Sequence, residues 1–321
     1  MSLEKIYVQD ASKEEWIYLI SEIRKEMDWN YSKSDAQMIF SCPKARFLIA
    51  NNDDGDIVGL ISISLTREQV VFISCFYVIK QHRSNGIGTE LWEKVKTNVS
   101  GKFIIADFYP NWAYSSKFAV GLTDTGVVIQ KYDGHVDFKN FQHPKRMGEG
   151  VHVVHAQSLR FQEILDFDKK IVGFDRKDWL RSLLTHSNVD RYPRKPGSVS
   201  LIVTDEQGEI TGFGAIRPST GMVDDCCFQH AGAKLGPFYA MDEKSARLLL
   251  RALVGSIPSE LRAGGLDAFV TSKNLRGAQL LKEIGLKKAS YSYCRLASQA
   301  YLPSVNYDAV YALSNSELQY V

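Results

Sequence analysis

The segment VIKQHRSNGIGTEL, residues 78–91, connects an apolar run to a stretch with helical spacing. The run before it, VVFISCFYVI at 70–79, is typical of a buried strand. The first amides of a helix have no partners within the helix, and together with the positive end of the macrodipole they attract anions. Gly86 and Gly88 leave room for a bulky anion near those amides, and Arg83 adds a charged donor. The segment therefore predicts an anion-binding loop.

Two familiar phosphate loops do not fit this segment. A dinucleotide fingerprint requires a third glycine at position 91, where the chain has Leu91. A nucleotide P-loop requires Ser or Thr after Gly-Lys, but Gly101-Lys102 is followed by Phe103. Both interpretations are excluded.

The sequence around the loop predicts alternating strands and helices. Asp54-Gly55 lies between two apolar runs, which is a strong hairpin signal. Apolar residues at helical spacing favour helices on either side of the hairpin and loop. The predicted order is strand, two helices, three strands, helix, strand, helix and two strands. The first strand lies near 4–9, the first two helices near 13–27 and 34–41, the hairpin at 46–65 and the third strand of the group at 70–79. The helix after the loop extends to about 99, and a strand at 102–108, a helix at 112–120 and a pair of strands follow.

The second half of the chain repeats this order. It has a strand at 151–156, two helices, a hairpin around Gln207-Gly208, and then strand, helix, strand and helix. Asn111 of the first half matches Asn274 of the second. A shared order over about 150 residues indicates one fold used twice. We expect an α/β (α+β) protein with a domain at 1–141, a linker at 142–150 and a second domain at 151–321.

Composition excludes several classes of protein. The chain has 39 Lys and Arg against 37 Asp and Glu, which gives no electrostatic footprint for nucleic acid or an anionic membrane. The N-terminal sequence has no signal-peptide core, and no apolar run approaches the ~20 residues that span a bilayer. We expect a cytoplasmic protein without nucleic-acid or membrane partners. His152 and His155 are spaced for opposite faces of a strand, so no metal site is expected.

The segment from Val78 to Leu91 resembles the acyl-CoA loop of the GNAT superfamily of N-acetyltransferases. The core pattern of that loop is Arg or Gln, two residues, Gly, one residue, and Gly or Ala, and Arg83, Gly86 and Gly88 match it. The predicted elements around the loop extend the resemblance over about 3–140. It implies a mostly antiparallel central sheet, flanking helices, and fourth and fifth strands that separate to admit the pantetheine arm of acetyl-CoA.

The resemblance also implies which residues bind acetyl-CoA. The loop would hold the pyrophosphate, the backbone of the preceding strand would pair with the pantetheine, and an asparagine after the next strand would contact it. These residues are Arg83, Ser84, Asn85, Gly86, Ile87, Gly88 and Thr89 in the loop, Phe76, Tyr77 and Val78 in the strand, and Asn111, which could also serve as a helix N-cap.

The second half resembles the C-terminal domain of two-domain acetyltransferases of the same superfamily. The matching stretches include DKKIVGFDRKDWL at 168–180 and NLRGAQLLKEIG at 274–285. It departs from the pattern at Ala240–Lys244, which has no Gly-x-Gly and carries two carboxylates that would repel a pyrophosphate. We therefore expect one acetyl-CoA per chain, bound by the first domain.

The catalytic groups are less well defined than the cofactor loop. In direct transfer an amine attacks the thioester, a base removes its proton, and an acid protonates the thiolate. Asp107, near the end of its strand, and Glu68 are the candidate bases. The family's tyrosine acid falls at Lys117 and Phe118 here, so that role is unfilled, and Tyr114, one turn earlier, is the candidate substitute.

The resemblance favours transfer of an acetyl group to a primary amine, and the balanced charge favours a small-molecule amine. In this hypothesis the second domain helps to shape the substrate cleft. Three alternatives remain open: a CoA-binding protein without turnover, an acetyltransferase for a protein lysine or N-terminus, and a cofactor site in the second domain. The sequence does not indicate the oligomeric state.

Overall fold

The computed structural model describes residues 5–26, 33–65, 70–111, 121–141, 151–186, 198–219, 232–298 and 304–314. The chain divides into two compact units. The first unit contains Met1–Gly126 and Cys294–Leu302, and the second contains Val127–Tyr293 and Pro303–Val321. The first unit therefore ends earlier than the predicted domain end at 141 and includes a segment from near the end of the chain. The predicted linker at 142–150 lies outside the described residues.

The first unit is built on a mixed, mostly antiparallel sheet. Strands β1 to β4 pair antiparallel in chain order, and β4 pairs parallel with β5. The strands are β1 Tyr7–Asp10, β2 Ala45–Asn51, β3 Ile57–Leu65, β4 Val70–Val78 and β5 Phe103–Phe108, and the helices are α1 Lys13–Glu26, α2 Lys33–Phe40 and α3 Ile87–Val99.

The two units share two long strands, β6 (Thr123–Gly134) and β12 (Lys287–Ala297), each of which has residues in both. The end of β12, Cys294–Ala297, pairs antiparallel with β5 in the first unit. The sequence predicts a pair of strands where the structure has the single strand β6, and it does not predict β12.

The second unit repeats the architecture of the first. Its strands lie in the order β7-β8-β9-β10-β11-β6, all antiparallel neighbours except the parallel pair β10 and β11. Its further elements are β7 His152–His155, α4 Phe161–Val172, α5 Lys177–His186, β8 Val199–Thr204, β9 Ile210–Ser219, β10 Gly232–Ala240, α6 Glu243–Ser256, α7 Ser259–Ala263, β11 Leu266–Thr271, α8 Leu275–Glu283 and β13 Val310–Ala312. The predicted fold class and the internal repeat are confirmed.

In the first unit, helix α3 is held closely against the sheet. Its apolar face, which includes Leu91 and Val95, packs into a buried cluster with residues of β2 to β5. A Cβ atom on Gly59 of β3 would lie 3.1 Å from the Leu91 side chain, so this glycine permits the close approach. The packing fixes the N-terminus of α3 beside the end of β4. Among the helices that the structure describes, none is long and apolar enough to cross a membrane.

Candidate functional site

Strands β4 and β5 separate partway along their length. Their parallel pairing runs from Val70 and Phe103 to Ile73 and Ala106 and ends there. Just beyond this point β4 contains a bulge, because Cys75 and Phe76 lie opposite the single residue Ile61 of β3. Cys75 has a φ of 50°, a left-handed conformation that is unusual for a residue other than glycine. A bulge bends its strand, which accounts for the separation. The predicted splaying of the fourth and fifth strands is confirmed.

The loop after β4 leads into α3 through two residues with left-handed backbone. Ser84 has a φ of 68°, and Gly86, the N-cap, has a φ of 81° and no side chain that could cap the helix. The amide of Glu90 donates to the Gly86 carbonyl at 3.1 Å as the first turn of the helix begins. The amides of residues 87–89 therefore have no partner within the helix. Together with the helix macrodipole they form a site that can accept an anion.

Gly88 brings the first turn of α3 against the end of β4. A Cβ atom on Gly88 would lie 3.5 Å from the ring of Phe76 and 3.7 Å from the side chain of Val78, both ordinary contact distances. Ile87 points into the core and is 1% exposed, whereas Ser84, Asn85 and Thr89 are exposed. The buried isoleucine anchors the turn, and the polar residues on either side of it face solvent.

Arg83 connects this loop to β4. Its Nε donates to the carbonyl of Val78 at 2.9 Å, and its guanidinium carbon lies 5.3 Å from the centre of the Tyr77 ring. Tyr77 itself is 2% exposed. Arg83 therefore places a positive charge in the loop and braces the loop against the strand. The structure brings the predicted residues of β4 and of the loop together at one end of the sheet.

Asp107 is not placed as an accessible base. Both of its carboxylate oxygens accept hydrogen bonds from Arg295 at 2.9 Å, and its side chain is 1% exposed. Burial raises the pKa of the Asp107 carboxyl, and the charge of Arg295 acts in the opposite direction. A buried carboxylate held in this way is poorly suited to take a proton from an incoming amine. The contacts favour a structural role over the predicted catalytic one.

Of the remaining predicted residues, Asn111 follows β5 in the chain and the others lie outside the described residues. Asn111 is exposed and helical, and because Pro110 already belongs to the same helix, Asn111 is not its N-cap as predicted. Proline is favoured at the first position of a helix, where its missing N–H costs nothing. Tyr114 and Glu68 lie outside the described residues. Within the described ranges, no group of three or more His, Cys, Asp or Glu side chains could hold a metal ion.

The second unit has the same strand arrangement without the loop. The pairing of β10 with β11 ends at Leu235 and Ala268, yet the helix that follows β10 begins after Asp242 rather than after a glycine. The Asp242 carboxylate accepts from the Ser245 amide at 2.8 Å and so caps α6. A carboxylate thus occupies the N-terminus of α6, whereas the N-terminus of α3 in the first unit has amides without a side-chain cap.

Comparison with family models gives two matches. Residues 15–100 match the acetyltransferase (GNAT) family, and residues 164–297 match an acetyltransferase (GNAT) domain. The first match contains the loop and α3. No curated protein sequence matches the chain.

Several solved structures share the fold over nearly the whole chain. A provisionally assigned acetyltransferase from Pyrococcus horikoshii has a TM-score of 0.69 and 18% identity, covering 97% of this chain and 95% of its own. A tandem GNAT protein from the clavulanic acid biosynthesis pathway has a TM-score of 0.65 and 11% identity, covering 93% and 99%. An N-myristoyltransferase from Saccharomyces cerevisiae with bound myristoyl-CoA and inhibitors has a TM-score of 0.63 and 12% identity, covering 92% and 80%. At these identities the likeness is one of fold.

Proposed function

Because the chain belongs to the GNAT superfamily and is an acyltransferase with one GNAT domain in each half, we propose that its first unit transfers an acetyl group from acetyl-CoA to a primary amine. The acetyl group and the amine acceptor are the specific parts of this proposal. The observation that carries it is the loop at 83–89, where open helix amides follow a strand that has separated from its neighbour.

The cofactor would bind along this path from phosphate to thioester. Its pyrophosphate would accept hydrogen bonds from the amides at the start of α3, near the charge of Arg83. Its pantetheine arm is extended and carries amide groups, so it could pair with the backbone of Phe76 to Val78 as an added strand does at a sheet edge. Gly88 has no side chain to cover Phe76 and Val78, beside which the arm would lie. Asn111, exposed in the helical stretch that follows β5, would contact the arm from the other side of the gap.

The chemistry needs no covalent intermediate on the protein. The amine nitrogen would form a bond to the thioester carbon, the carbonyl oxygen would take up negative charge, and the carbon–sulfur bond would break as the tetrahedral intermediate collapses. Backbone N–H groups at the bulge of β4 would stabilise the oxyanion, which is commonly the largest contribution to such catalysis. The ammonium proton would leave to a base and the thiolate would gain one, with Glu68 and Tyr114 as our candidates for these steps.

We favour a small molecule as the acceptor. The near balance of 39 basic and 37 acidic residues gives no broad charged surface for a macromolecular partner. Acetylation of a protein lysine or N-terminus is the alternative acceptor class, and it would use the same cofactor site.

A panel of amines tests the reaction. Free thiol release would be followed with the full chain, saturating acetyl-CoA, and amines that include polyamines, amino sugars, amino acids and lysine peptides. We expect release that depends on one class of small amine and exceeds the rate without amine by at least about a hundredfold. Tight CoA binding with no amine-dependent release across the panel would indicate a CoA-binding protein without turnover, and release only with peptides would move the acceptor to proteins.

A further inference from the structure

The second unit contains the same kind of gap as the first. Its strands β10 and β11 stop pairing at Leu235 and Ala268, and β10 has a bulge at the next two residues, Gly236 and Pro237, which lie opposite the single residue Ala215 of β9. The first unit opens its sheet by the same device.

The last described strand of the chain, β13, occupies the gap of the second unit. It pairs antiparallel with β10 through Phe238 with Ala312 and Tyr239 with Val310. On its other side, the amide of Leu313 donates to the carbonyl of Phe269 in β11 at 2.8 Å. The strand is therefore hydrogen-bonded to both of the strands that separate.

The surrounding backbone fits this strand closely. A Cβ atom on Gly236 would lie 1.8 Å from the Leu313 carbonyl oxygen, and one on Gly277, in the first turn of α8, would lie 2.6 Å from the Tyr311 carbonyl oxygen. No side chain larger than hydrogen fits at either position while the segment is in place. Residues 310–313 are at most 1% exposed. The segment is thus part of the core of the second unit.

Asn274 holds the start of this segment. Its Oδ1 accepts from the Gly277 amide at 2.9 Å, which caps α8, and the two hydrogens of its Nδ2 are shared among the carbonyls of Tyr307, Asp308 and Val310 at 2.9 to 3.1 Å. Asn274 is the counterpart of Asn111 in the first unit and is 2% exposed. In the second unit this asparagine binds the chain's own backbone.

The geometry points to a strand-binding groove in the second unit that takes residues 304–314 of the same chain in the place where the first unit takes the CoA arm. This inference rests on the proposed function, since it assigns the matching gap of the first unit to CoA. It goes further, because an extended peptide and an extended pantetheine compete for the same backbone groups. Two independent features of the second unit then oppose CoA binding. One is the Asp242 carboxylate at the start of α6, and the other is β13 between β10 and β11.

Hydrogen exchange of the full chain with and without CoA tests the inference. CoA itself is the probe, so that the result does not depend on the acyl group. We expect CoA to slow exchange in 76–89 and to leave exchange in 232–240 and 304–314 unchanged. Faster exchange in 304–314 on adding CoA, or slower exchange in 232–240, would overturn the inference. The absence of any change in 76–89 would instead count against the proposed function.

Asn274→Asp provides a second test that does not use CoA. The carboxylate keeps an acceptor for the Gly277 amide but loses the NH2 donor shared by three backbone carbonyls and places negative charge against them. We expect exchange in 304–314 to rise by about tenfold or more, with CoA affinity within about twofold of the parent. Asp205→Asn, in the turn between β8 and β9, where the carboxylate accepts from the amides of Gln207 and Glu209, is the control. Unchanged exchange in 304–314 of Asn274→Asp would show that the asparagine does not hold the segment.

Discussion

Asp107 and Arg295 form a buried ion pair between residues 188 positions apart in the chain. The sequence predicts Asp107 as a carboxylate near a strand end, and in the structure it is the next-to-last residue of β5. Its partner could not be identified, because nothing in the local sequence of Arg295 indicates that β12 pairs with β5. The role of a carboxylate can thus depend on a charged partner far along the chain. Glycines in a turn act on the backbone at their own position, so a local sequence pattern is enough to interpret them. For this reason the loop was easier to predict than the base.

Replacing one member of the pair should lower the free energy of unfolding strongly, whereas replacing both should lower it much less. We expect Arg295→Met to destabilise the protein by about 3–5 kcal/mol, because it leaves Asp107 buried without a charge partner. The double variant Asp107→Leu, Arg295→Met should recover most of this loss, as apolar replacements of buried pairs often do. Urea denaturation measures both.

The same double variant tests the role of Asp107 in catalysis. If Asp107 is structural, the folded double variant should release thiol within about fivefold of the parent rate, well short of the ~10² to 10⁴ that a general base contributes. A folded double variant that binds CoA normally but has lost turnover would restore Asp107 as the base.

The element that carries the proposed site is the strand, loop and helix at 70–99. The sequence predicts it almost completely, because an apolar run, two glycines and helical spacing are local signals. Strands β12 and β13 give no such signal: β12 mixes lysines, tyrosines and small residues, and β13 is three residues long. Both are strands because of their partners, β5 in one case and β10 in the other. Long-range pairing of this kind is not visible in a single sequence.

Gly88→Glu should separate helix stability from cofactor binding. Glutamate is a better helix former than glycine and is favoured near a helix N-terminus, so the melting temperature should be unchanged or higher. The same carboxylate would repel a pyrophosphate, and we expect acetyl-CoA affinity to fall by at least about thirtyfold, ~2 kcal/mol. The matched control is Gly255→Glu, a glycine in α6 with nothing within 4 Å of its Cβ position. Equal affinity in the two variants would contradict the loop assignment.

At the scale of the whole molecule, the two repeats are not independent segments of sequence. The first unit takes Cys294–Leu302 from the second half, and the second unit takes Val127 and the residues after it from the first. Leu296 lies in the core cluster of the first unit. The internal repeat is predictable from the order of elements. The contribution of each half to the other unit is not, because it changes which residues fold together without changing the order of the elements.

Because the first unit contains residues from near the end of the chain, we predict that the first half does not fold as an isolated fragment. A fragment of residues 1–141 lacks the part of β12 that pairs with β5, the charge partner of Asp107 and the strand β11 that pairs with β6. We expect this fragment to show no cooperative thermal transition by circular dichroism, with the full chain as the reference. A cooperative transition within a few degrees of the full chain would show that residues 294–302 are dispensable.

Titration calorimetry of acetyl-CoA into the full chain tests the central claim most directly, because it counts sites and locates them in one series. We predict one site per chain in the parent and in Gly255→Glu, and binding weakened by at least about thirtyfold in Gly88→Glu. Two sites per chain, or a single site with the same affinity in Gly88→Glu as in Gly255→Glu, would contradict an acyl-CoA site built on the loop between β4 and α3.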